Sequence, residues 1–269
     1  DLGVTLSEQA HLAEGAERAA LLARGVAAYR AALEIYAQEA PRINWARTQN
    51  NLGIALMQQA ELAEGAARSA LLNDARAAHA AALEVYTPAG NPQEWASTQC
   101  NLGNVLRHQA ELAEGNERGA LLEEAVAAYR LALKLLTRAD TPEAWAMAQN
   151  NLGNALSDQA ELEPGSGRMN LLSQAAAAHQ AALSVYTRAY MPVEWAGTQL
   201  NLGQVYFARA LAQRGTHKVR RQTLAKAQDA VIEALSVFDS DTGPAYHEAA
   251  IQLYDEMEAA QEALHVKAG

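Results

Sequence analysis

The chain repeats itself every 50 residues, and that period restricts its fold more than any other feature. Trp45, Trp95, Trp145 and Trp195 stand 50 residues apart, each followed by Asn-Leu-Gly at 51–53, 101–103, 151–153 and 201–203. A fifth copy, shortened at its start, opens the chain as Asp1-Leu2-Gly3. Self-similarity at such a period marks a stacked array, in which each unit buries its apolar face only against its neighbours. Ala and Leu dominate the apolar half of the chain, Phe is scarce and β-branched residues are few, so the repeating unit is helical. The reading is an all-α solenoid with one continuous elongated core.

Within a repeat, a Trp-bearing helix A alternates with a partner helix B. Pro41, Pro92, Pro142 and Pro192 suit the first turn of helix A, where no N–H is needed. Asn91 and Thr141 are placed to cap, and Glu94, Glu143 and Glu194 complement the helix dipole. Gly65, Gly115 and Gly165 are expected to end helix A in the left-handed conformation. Helix B is expected over about 70–87, 120–137 and 170–187, with Leu72, Ala75, His79, Ala82 and Tyr86 on its inner stripe. Short connections such as Pro88–Pro92 imply antiparallel neighbours. The fifth repeat is offset by 52 residues, which puts two extra residues in its inter-helix loop. After a break at 239–244, a last amphipathic helix over about 245–265 carries Tyr246, Ala250, Leu253, Met257, Ala260 and Leu264 on one face, as an end cap would.

Several classes of function are unfavourable. A formal charge of −10 argues against nucleic acid as a partner. No apolar run is long enough to span a bilayer, and no signal-peptide pattern is present, so no membrane partner is expected. Cys100, the single cysteine, excludes an internal disulfide and fits a reducing, cytoplasmic setting. The chain begins inside a repeat, which reads as a piece of a longer or processed protein. There is no HExxH, paired cysteine, phosphate loop or Ser-His-Asp set, so no catalytic residue, metal or cofactor is expected. His79 and His179 fill the slot that Tyr29 and Tyr129 hold in other copies and are read as packing residues. The tryptophans are read as packing across the turn onto Tyr36, Tyr86, Leu136 and Tyr186.

Leu102-Gly103 on one helix, followed by Ala125, Tyr129 and Ala132 on the next, resembles the tetratricopeptide repeat (TPR) family. Gly25, Tyr29 and Ala32 match with one change, and the resemblance extends to residue 238. It implies five TPR-like repeats over 1–238, the first truncated, and a capping helix and tail over 239–269. It also implies a right-handed superhelix of antiparallel helix pairs. The repeat is 50 residues where the family has about 34, with ten extra between Gly103 and Ala125 and six between Ala132 and Gly153. Both helices are therefore longer than the family's, roughly 18–20 residues. Similar long repeats occur in bacterial multidomain proteins, beside nucleotide-switch ATPases and caspase-like proteases.

The resemblance also implies that one face of helix A lines a concave, peptide-binding groove. Positions i, i+4 and i+7 along that face read Asn50, Ile54 and Met57, then Cys100, Asn104 and Arg107, then Asn150, Asn154 and Ser157, then Leu200, Gln204 and Phe207. The candidate ligand contacts are Asn50, Met57, Asn104, Arg107, Asn150, Asn154, Gln204 and Phe207. Amides can bond a peptide main chain whatever its side chains are, and Met57 and Phe207 at the ends can receive apolar groups. The recurring Asn51, Asn101, Asn151 and Asn201 either bond the neighbouring repeat's backbone or touch the ligand. A basic run over 209–226, with Arg214, Lys218, Arg220 and Arg221, is either a solvated loop or a docking patch for an acidic segment. The leading expectation is a non-enzymatic protein-interaction scaffold with a protein or peptide partner. The alternatives are self-association through the truncated first repeat, where Leu2 and Leu6 have lost a neighbour, and a sensor domain of a larger ATPase or protease.

Overall fold

The computed structural model describes residues 2–37, 42–213, 216–240 and 243–266. All secondary structure among them is helical. The chain divides into two compact units, Asp1–Leu136 and Thr137–Gly269. The first holds α1 (Leu2–Leu12), α2 (Gly15–Tyr36), α3 (Ile43–Glu61), α4 (Gly65–Leu83), α5 (Pro92–Leu112) and α6 (Gly115–Ala132). The second holds α7 (Pro142–Leu162), α8 (Gly165–Leu183), α9 (Pro192–Ala212), α10 (His217–Leu235) and α11 (Pro244–Val266). In each unit every helix packs on the next one in sequence, and the A-type helices α3 and α5, and α7 and α9, also touch. Helix pairs such as α5 and α6 are joined by only Ala113 and Glu114, so packed neighbours must run antiparallel.

The repeat fixes the turns, at a register different from the expected one. Gly15, Gly65, Gly115 and Gly165 have φ of 54–62°, the left-handed region, as anticipated for three of them. They open helix B, however, and do not close helix A. A preceding residue in extended conformation, such as Glu64 at φ −125°, reverses the chain and the glycine redirects it. Helix B consequently begins about five residues early, and it ends at Leu83, Ala132 and Leu183. Pro92, Pro142 and Pro192 begin α5, α7 and α9 as expected, while Pro41 lies outside the described residues. Neither Asn91 nor Thr141 caps with its side chain. The Thr141 hydroxyl instead accepts from the Thr137 amide (3.1 Å) and donates to its carbonyl (3.2 Å), closing the turn before α7.

The Asn-Leu-Gly glycine admits a ring from helix B. A Cβ on Gly103 would lie 2.7 Å from Tyr129, one on Gly53 would lie 2.6 Å from His79, and one on Gly153 would lie 2.6 Å from His179. Gly3 meets Tyr29 in the same way, and Gly203 meets Val231. Each ring is buried between two helices that the missing side chain lets approach. The tryptophans are half-buried. Trp95 packs against the cluster around Tyr86 and Trp195 against that around Tyr186, as expected across the turn, while Trp45 and Trp145 join the same two clusters from the preceding A helix rather than being seen on Tyr36 and Leu136. The loop between α9 and α10 is two residues longer than that between α5 and α6, as the offset required. On α11, Ala250 and Met257 are buried against the unit, while Tyr246 stacks on Phe238 at 4.7 Å. Leu6 is also buried, packing within its own unit, so it is not orphaned as expected, whereas Leu2 and Leu12 are exposed.

Candidate functional site

The face of helix A singled out from the sequence divides into an inward half and an open half. Its first position points into the packing: Cys100 and Leu200 are buried, and Asn50 and Asn150 are half-buried. These two asparagines join consecutive A helices. Asn101 Nδ2 donates to Asn50 Oδ1 (3.2 Å), and Asn201 Nδ2 donates to Asn150 Oδ1 (3.3 Å). Asn101 and Asn201 thus bond a side chain of the preceding repeat, where a backbone partner was one of the two expectations. Asn150 Oδ1 also lies 3.0 Å from His179 Nδ1, which must carry the proton because a carbonyl oxygen only accepts.

In the first unit, the other candidates are engaged internally. The Tyr129 hydroxyl donates to Asn104 Oδ1 (2.6 Å). Met57 packs against the core around Leu52 and Leu56. Arg107 is not a free cation of a groove: it pairs with Glu111 one turn on (3.5 Å). Glu111 also receives Arg68 (2.6 Å) and His108 (3.2 Å). Burial pushes the Glu111 carboxyl up, but the hydrogen bond and charge of His108, the Arg107 charge and the Arg68 hydrogen bond together bring it down to about 2. Arg68 belongs to a ladder that spans successive helix pairs, with Arg18–Glu61 (3.2 Å), Arg30–Asp74 (2.9 Å) and Arg76–Glu124 (2.6 Å).

The basic run is likewise partly structural. Arg220 Nε donates to the carbonyl of Ala210 (3.2 Å), at the end of α9. Lys218 and Arg221 are exposed, and Arg214 lies outside the described residues.

The second unit contains an open cleft of about 730 Å³ between α7 and α9. Asn150, Asn154 and Asn201 contribute amides to its wall, Met147 and Val193 apolar surface, and Glu143 and Glu194 carboxylates. Tyr186 and the stacked Phe238–Tyr246 pair also line it. Of the predicted contacts, only Asn150 and Asn154 are brought together here, and Gln204 and Phe207 lie elsewhere on α9. Gly197 lies on the wall, and a Cβ there would meet nothing within 4 Å. Sequence reasoning missed the role of position 147. The column 47, 97, 147, 197 reads Arg, Ser, Met, Gly, so from the first unit to the second Arg47 gives way to Met147 and Ser97 to Gly197, a loss of charge and of bulk at each place that the sequence carries.

Nothing among the described residues gathers three or more His, Cys, Asp or Glu side chains into a metal site. Burial pushes the Cys100 thiol up to about 12. Native protein is therefore expected to resist a maleimide at pH 7.5 and to react only when unfolded, since the thiolate is the nucleophile. Stoichiometric labelling within minutes in the native state would contradict this burial. No described helix is long and apolar enough to cross a membrane. No protein-family model and no curated protein matches this chain.

Proposed function

We propose that the chain is a TPR-like interaction scaffold that holds a partner's extended segment in the cleft between α7 and α9. The resemblance in the Asn-Leu-Gly and Ala-Tyr-Ala motifs supports the family reading, with its right-handed helical array and α11 as the cap. A cytoplasmic, non-enzymatic role accords with the single buried thiol and the missing catalytic motifs. The observation that carries the binding reading is the cleft itself. It combines amides from Asn150, Asn154 and Asn201 with exposed Met147 and an aromatic end wall. Such a mixture of apolar surface and a few convergent polar groups is what binding sites share.

Gly197→Trp tests this directly. The wall at Gly197 is open, so an indole can occupy the cleft without displacing the core. Helix propensity favours Trp over Gly, so the fold is expected to keep its melting temperature. Peptides selected on the wild-type chain from a display library are expected to lose at least roughly tenfold in affinity for the variant, because the filled wall excludes them. Equal affinity with an unchanged melting temperature would place binding elsewhere.

A further inference from the structure

The two units build the same junction with different charges. In the first, Tyr86 sits where α3 and α5 meet, packed by Trp45 and Trp95. One carboxylate, Glu94, and one guanidinium, Arg47, act on its hydroxyl. In the second unit, Tyr186 sits between Trp145 and Trp195 at the equivalent place. The residue in the position of Arg47 is Met147, and a second acid, Glu143, stands where the first unit has Ile43. The first unit thus sets Arg47 against Glu94, with Arg42 over the Trp45 ring (4.9 Å), whereas the second has two acids and, as its nearby cation, Arg188 on the outer side of Trp195 (6.0 Å), already donating to the Ser236 carbonyl (3.3 Å). Both acids line the cleft, and neither forms an ion pair among the described residues. No Lys, Arg or His contributes to the lining. Burial, then Glu194 and Glu143, push the Tyr186 hydroxyl up to about 12.

We propose that the cleft between α7 and α9 recognises an arginine or lysine side chain of the partner's segment, seated between Glu143 and Glu194 above Tyr186. One unit earlier the equivalent rim carries Arg47, an exposed guanidinium that donates to Asn44 Oδ1 (3.2 Å) and acts on the Tyr86 hydroxyl from there. In the second unit that cation is missing, a counter-charge has been added, and room has opened at Met147 and Gly197. A carboxylate pair binds guanidinium more strongly than ammonium, because its planar donors reach both acids, so arginine is preferred. The aromatic wall of Phe238 and Tyr246 then receives an apolar neighbour of that residue. This inference rests on the cleft being a binding site.

The test uses the full 269-residue chain and end-blocked nonapeptide pools whose central residue is fixed as arginine, lysine, citrulline or glutamate. The arginine pool is expected to bind most tightly. Citrulline, isosteric but neutral, is expected to bind at least roughly tenfold more weakly, in line with the strength of charge-assisted bonds. Glu143→Gln with Glu194→Gln should remove that preference while the melting temperature stays within a few degrees. Met147→Arg, which restores in cis the cation of the first unit, should abolish arginine-pool binding outright. Equal binding of arginine and citrulline, or arginine binding that survives Met147→Arg, would overturn the cation site. It would leave the groove reading intact if Gly197→Trp still blocks the pools. Binding of none of the pools would overturn both.

Discussion

Acidification from pH 7 to pH 4 is expected to remove about 3 kcal/mol of stability from each unit, seen as a fall in melting temperature of roughly 10 °C. The cause is one buried imidazole per unit. His79 and His179 are fully buried, and burial lowers each to about 4 from the ordinary 6.5. His79 has no partner for either ring nitrogen, and His179 only the Asn150 oxygen. Between those values the unfolded chain binds protons that the folded chain refuses. The contribution is therefore complete above pH 6.5, is lost as the pH falls toward 4, and does not change further below that. Glu111 acts in another window, because its carboxyl is held at about 2, so what it contributes is lost only as the pH falls below about 4.5. His179→Tyr should flatten the profile of the second unit. Tyr129 in the equivalent slot donates to Asn104, and Asn154 stands ready in the same register. Thermal melts at half-unit pH steps would decide. A wild-type melting temperature constant from pH 7 to 4.5, or a tyrosine variant that retains the whole loss, would sink the account.

The same substitution at two glycines of the A helices should act with opposite signs. Gly103→Ala places a methyl 2.7 Å from the Tyr129 ring, closer than carbon atoms pack. Tyr129 is fully buried and held by Asn104, so it cannot swing aside. Overpacking of this kind costs about 1–3 kcal/mol, and the better helix propensity of alanine returns at most about 1. The net expectation is a loss of roughly 2 kcal/mol, or more for Gly103→Val, whose extra methyls meet the same ring. Gly197→Ala meets nothing within 4 Å, so only the propensity acts, a gain of up to about 1 kcal/mol. Urea titrations of the two variants against wild type separate the signs. A shift in the same direction for both would show that the ring does not depend on the glycine for space.

The same glycines show how far the sequence could be read. The triplet at 51–53, 101–103, 151–153 and 201–203 was visible as a motif, and the alternation of Tyr29, His79, Tyr129 and His179 as a slot. That the two features are one contact follows only from packing, because they lie 26 residues apart on different helices. The asparagine face was legible as a stripe but not as two halves. Helical periodicity gives the angle between side chains on one helix and says nothing about the angle to its neighbour. Hence Asn50 and Asn150 turned out to join repeats, and Arg107 to join a cluster around Glu111. The turn glycines illustrate the same boundary at smaller scale. Their left-handed φ followed from residue type, but the helix they belong to depended on the extended residue before them.

What the sequence determined by itself was the helical class, the 50-residue unit and the burial of one apolar face per helix. All of these follow from periodicity and propensity, which act within a single element. What only the tertiary structure decided was where space and charge are left over. The cleft arises from Met147 and Gly197 on different helices, and its charge from Glu143 and Glu194, which are 51 residues apart in sequence. Excluded volume and Coulomb forces depend on distances between elements, and no local pattern in the chain encodes those distances.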